Sequence, residues 1–105
     1  MADLELNDEI RDEARVTWYR YLDLLNPFRP DLYRYCLRLT GGDVWDAEDL
    51  VQETVVRGFA TLGARYRPID NPRGYLVRIA SNLWMDAMRR RQLEARTPAL
   101  EPAAA

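Results

Sequence analysis

The sequence predicts an all-α fold, a compact bundle of three to four helices, on three observations. Apolar residues recur at helical spacing in four segments, no segment alternates convincingly as a half-buried strand would, and residues that start or stop helices bound each one. The first segment runs from Asn7 or Asp8, an N-cap followed by acids, to Leu25, where Asn26-Pro27 halts it. Its apolar side is Ile10, Ala14, Trp18, Tyr21, Leu22 and Leu25. The second begins between Phe28 and Asp31, aligns Leu32, Tyr35, Cys36 and Leu39, and ends at Gly41-Gly42. Asp43 caps a third helix that reaches about Leu62, with Gly63 as terminator and "GARYRPID" as the loop beyond. Asn71 as N-cap and Pro72 at the first helical position open a fourth, which continues to about Leu93. Residues 1–93 are therefore expected to form a single helical domain, and residues 94–105, which contain "TPALEPAAA", a linker or disordered tail.

A chain of 105 residues has room for one modest core. No apolar run approaches the roughly 20 residues of a membrane span, and the N-terminus opens with acids rather than a basic region and an apolar stretch. A cytoplasmic protein without a signal peptide is expected. The lone Cys36 has no partner for an internal disulfide and reads as a packed, unreactive thiol. Histidine is absent and all fifteen basic residues are arginine, which removes the commonest general base, the commonest metal ligand and any lysine nucleophile. The expectation is a protein that is not an enzyme and holds no cofactor or metal.

The net charge of −2 conceals an asymmetry. Residues 1–56 carry thirteen acids against six arginines, whereas residues 57–96 carry nine arginines against three acids. Such a split suits two partners, one basic and one a polyanion such as nucleic acid, unless the two halves pair with each other in the fold.

The third helix turns Ala47, Leu50, Val51, Thr54, Gly58 and Leu62 to the core, and gathers Asp46, Asp49, Glu53 and Arg57 on another side, with Gln52 and Val56 further round. Like charges at this spacing weaken an isolated helix by roughly 0.2–0.5 kcal/mol per close pair, so the stripe does not serve helix formation. Three readings fit it: a solvated face, oxygen ligands for a divalent cation, or a docking surface for an arginine-rich helix. The fourth helix points Leu76, Ile79, Ala80, Leu83, Trp84 and Ala87 inward. Tyr75, Arg78, Asn82 and Arg89 share another face, which Arg90 and Arg91 extend. Arginines for phosphates, an asparagine for a base edge and a ring for stacking are what an unpaired strand requires, and Arg65, Tyr66, Arg67 and Arg73 add to them around the preceding loop.

The segments "LYRYCLRLTGGDVWDAEDLVQETVVRGFATL" and "NPRGYLVRIASNLWMDAMRRR" resemble region 2 of bacterial sigma-70 family sigma factors, in the extracytoplasmic-function group. The resemblance covers about residues 28–92. It implies a sigma factor domain in transcription initiation, in which Asp46, Glu48, Asp49, Gln52 and Glu53 meet the β′ clamp helices of RNA polymerase. It implies also that the following loop and helix recognise and help melt the promoter −10 element by capturing a flipped base of the non-template strand. By position the base pocket would fall in "ARYRPIDN", which includes Asn71, with Tyr75 where many relatives have tryptophan, and with Asn82. Arg73, Arg78 and the cluster Arg89 to Arg91 would contact the backbone. An anti-sigma factor is a further partner that the resemblance admits; a membrane partner is not expected.

Members of the family normally carry a second helical domain, region 4, that reads the −35 element; the residues after Arg91 are not expected to form it, whether the chain is an excised domain or a naturally short form. An interaction module that binds polymerase without recognising promoter DNA is the alternative, and a magnesium enzyme built on Asp46, Asp49 and Glu53 a more distant one, because no second acidic cluster faces them. The acidic N-terminal helix either completes the bundle through Trp18 and Leu22 or shields the basic half.

Overall fold

The computed structural model describes the backbone of residues 2–65 and 70–96 and the side chains of residues 8–61 and 70–96. Four α-helices account for nearly all of it: α1 (Ala2–Leu25), α2 (Arg29–Leu39), α3 (Val44–Arg65) and α4 (Pro72–Arg96). Asn26–Phe28 forms a 3₁₀ turn between α1 and α2. No strand occurs among the described residues.

The turn residues act as their chemistry dictates. Gly41 (φ 68°) and Gly42 (φ 89°) are left-handed, and their amides donate to the Arg38 and Leu37 carbonyls at 3.3 and 2.7 Å, a Schellman closure of α2. Asp43 Oδ1 accepts from the Asp46 amide at 3.0 Å and so caps α3. Asn71 Oδ1 accepts from the Gly74 amide, also at 3.0 Å, capping α4 with Pro72 as its first residue.

The core draws on every helix. Tyr21 and Leu25 of α1, Leu32 and Cys36 of α2, Ala47, Leu50, Thr54 and Val55 of α3, and Leu76 and Ala80 of α4 are all buried. Trp18, Tyr21 and Phe59 form an aromatic cluster, with centroid distances to Phe59 of 4.9 and 5.3 Å, that fastens the C-terminal half of α1 onto α3. The Tyr21 hydroxyl donates to the Val55 carbonyl at 2.6 Å. Tyr75 donates to the Gly58 carbonyl at 2.7 Å, and a 2.6 Å bond between Tyr35 and Ser81 hydroxyls links α2 to α4.

Five expectations are corrected. α1 starts at Ala2 rather than at Asn7 or Asp8, because Ala2, Leu4, Glu5 and Leu6 are good helix formers and nothing between them stops a helix. Among its described side chains the inward side begins at Trp18: residues 8–17 are exposed, Ile10 at 58%, so this stretch of α1 packs against nothing described. α3 continues through Gly63 to Arg65, since an internal glycine weakens a helix by about 1 kcal/mol without ending it. α4 likewise extends a turn past Leu93, to Arg96. On α3, Val55 belongs to the core though the expected face omitted it, while Val51 is only half-buried.

Candidate functional site

Capping at Asp43 sets the rotation of α3, and burial of Ala47, Leu50 and Thr54 then leaves Glu48, Asp49, Gln52 and Glu53 exposed on the opposite side. Asp46 differs from them. Its carboxylate lies 3.6 Å from Arg91 Nη2 and is only 33% exposed, and the same guanidinium stands 5.2 Å from the centre of the Trp84 ring. Among the described residues no group of three or more acidic, cysteine or histidine side chains converges, so the stripe supplies no ligand set for the magnesium alternative.

Of the residues expected on the basic side, Arg73, Arg78, Asn82, Arg89 and Arg90 are exposed along α4. Arg73 sits 3.8 Å from Asp31 of α2, and Arg89 sits 3.7 Å from Asp86 one turn before it. Arg78 and Arg90 make no ion pair among the described residues. Tyr75 is half-buried, with its hydroxyl engaged by Gly58, so the ring is held against α3 rather than standing free. Asn71 is exposed yet uses its side-chain oxygen to cap α4. Arg65 ends α3 with its side chain outside the described residues, and Tyr66 and Arg67 lie outside them altogether.

The charge asymmetry is resolved in part within the fold. Arg73 with Asp31 and Arg91 with Asp46 join the two halves, but both pairs are at least partly solvated, and Arg78 and Arg90 of α4 and Glu48, Asp49 and Glu53 of α3 make no ion pair among the described residues. Two features were not foreseen from the sequence. An open groove of about 670 Å³ runs between α3 and α4, with Gln52, Glu53, Val56 and Arg57 on one wall and Leu83 and Arg90 on the other. Trp45, at 81%, is the most exposed large apolar side chain described. Both signals were present as apolar residues out of phase with the core positions of α3.

The Sigma-70 region 2 family matches residues 24–94. ECF RNA polymerase sigma factor SigE of Mycolicibacterium smegmatis is 38% identical over 89 residues, covering 76% of this chain and 34% of that protein. ECF RNA polymerase sigma factor SigG of Mycobacterium tuberculosis is 38% identical over 84 residues, covering 80% of this chain and 21% of that protein. The chain thus spans about a third or less of the length of these relatives. No solved structure gave a significant match.

Proposed function

Because the chain belongs to the sigma-70 region 2 family and resembles its extracytoplasmic-function members, we propose that α3 and α4 carry its two transcription-initiation contacts on one rigid helix pair. Sigma factors of this family are non-enzymatic, and a role in transcription initiation follows from membership. The finer assignment is ours. Glu48, Asp49, Gln52 and Glu53, with Asp46 at their edge, dock on the basic surface of the RNA polymerase β′ clamp helices. Arg73, Arg78, Arg89 and Arg90 hold the phosphates of the promoter −10 non-template strand, and Asn82 faces a base extruded toward the loop that contains Tyr66 and Arg67. Asn71 and Tyr75 serve the same site by fixing the start of α4. An extruded base that gains stacking and hydrogen bonds offsets the few kcal/mol, on the order of 2–4, that unstacking and unpairing cost. The site of action is the cytoplasmic polymerase; no described helix is long and apolar enough to cross a membrane. An anti-sigma factor that covers either face would regulate it.

The observation that carries this reading is the division of exposed charge between adjacent helices, acids on α3 and arginines on α4, of which Arg78 and Arg90 make no ion pair among the described residues. A titration with labelled −10 non-template oligonucleotide against a scrambled strand, at one salt concentration, tests it. Preference for the −10 sequence is expected. Equal or absent binding to both, with polymerase association retained, would favour the interaction module.

A further inference from the structure

Trp45 stands in the first turn of α3 with 81% of its surface exposed, and Val44 beside it is 48% exposed. Single exposed apolar residues are ordinary on protein surfaces. Trp45 is not single in that sense, because it begins a register: Trp45, Asp49, Gln52 and Val56 follow one another at spacings of four, three and four, and all are exposed. That is the spacing of a helix-docking seam, about 16 Å long, with an apolar residue at each end and polar ones between. Val56, at the far end, is 59% exposed and opens onto the groove between α3 and α4.

The charge around the seam defines what it would take. Glu48 and Asp49, at i+3 and i+4 from Trp45, share its side of the helix, and Glu53 lies one turn further on. An indole flanked by carboxylates suits a guanidinium, which can lie flat on the ring while its N–H groups reach the acids. The molecule already contains an instance of this arrangement, since Arg91 is held between the Trp84 ring at 5.2 Å and the Asp46 carboxylate at 3.6 Å.

Resting on the docking role given to the acidic stripe above, we propose that Trp45 is the anchor of the polymerase contact. A basic helix of the core enzyme lies along the seam from Trp45 to Val56 and sets an arginine against the indole. Trp45 is then the aromatic centre of the interface, and the acids steer the approach and complete the arginine's hydrogen bonds.

The experiment compares binding of purified core RNA polymerase to the full chain and to Trp45→Ala, Trp45→Glu, Trp45→Phe and Asp49→Arg, with urea midpoints as a check on folding. Ala and Glu at position 45 are expected to weaken binding at least tenfold and Phe less than threefold, with affinity for a −10 oligonucleotide unchanged. The Glu variant separates ring from charge, because a purely electrostatic surface would bind it as well as or better than the parent. If Asp49→Arg loses polymerase while Ala and Glu at 45 keep it, the anchor is wrong and the acidic docking face stands. If all four variants bind like the parent, the docking face itself is wrong and the anchor falls with it.

Discussion

Arg91, near the end of α4, holds Asp46, at the start of α3, across a 3.6 Å ion pair roofed by the Trp84 ring. Among the described residues it makes Asp46 the one acid of the stripe engaged in an ion pair. Asp46 and Asp49 should therefore respond differently to removal. Asp46→Ala and Arg91→Ala are each expected to lower stability by about 1 kcal/mol or less, given partial solvent exposure, and the double variant by little more than either alone. Asp49→Ala should leave stability unchanged and weaken polymerase binding more than Asp46→Ala does. Urea denaturation of these four variants and a polymerase pull-down of the two aspartate variants check both statements.

Gly58 sits where α3 meets two tyrosines. A Cβ at this position would come within 2.5 Å of the Tyr21 hydroxyl and 3.3 Å of a Tyr75 ring carbon. Tyr21 is buried and hydrogen-bonded to Val55, so it cannot swing aside freely. Gly58→Ala is expected to destabilise by about 1–3 kcal/mol. Tyr21→Phe alone should cost about 1 kcal/mol, because the Val55 carbonyl loses one donor. In the Tyr21→Phe background the added methyl has more room, so Gly58→Ala should cost less than it does in the parent. Additive losses in a double-mutant cycle would contradict the crowding read from the structure.

Arg78 has no ion pair among the described residues, whereas Arg73 faces Asp31 at 3.8 Å. Arg78→Ala should weaken −10 and scrambled strands alike and reduce the slope of log K against log salt by roughly 0.7, the value of one single-strand phosphate contact. Arg73→Ala should change that slope less, because its guanidinium must first part from a carboxylate. Asn82→Ala should weaken only the preferred strand. Fluorescence anisotropy over a salt series reads all three; a sequence-independent loss at Asn82 would remove it from the base-reading role.

Burial pushes the Cys36 thiol from its ordinary 9.0 up to about 11. The unfolded chain therefore loses this proton first as pH rises, and unfolding gains favour between pH 9 and 11. Tyr21 is shifted in the same direction, by burial first and then by Tyr75, so the alkaline loss continues beyond that window. Stability should be level just below pH 9 as far as these groups are concerned and fall above it, with Cys36→Ala removing the first part of the fall. Native protein should react with Ellman's reagent only on unfolding, since Cys36 is fully buried.

The sequence by itself determined most of what acts within about one helical turn. The caps at Asp43 and Asn71 and the Gly41-Gly42 closure were legible because a side chain or amide meets a backbone group no more than five positions away. The exposed acids of α3 and arginines of α4 were legible because the period of a helix assigns faces before any partner is known. Gly63 misled the reading, as the same residue ends a helix or merely thins it depending on whether the chain then turns. Only the tertiary structure decided which face finds a neighbour. It left Ile10 in solvent, carried Val55 into the core, set Tyr75 against Gly58, and brought Arg91 to Asp46. It also left Trp45 bare beside the acids. Those outcomes depend on how the helices cross, which is set by the sum of many contacts between residues distant in the chain, and no local pattern records that sum.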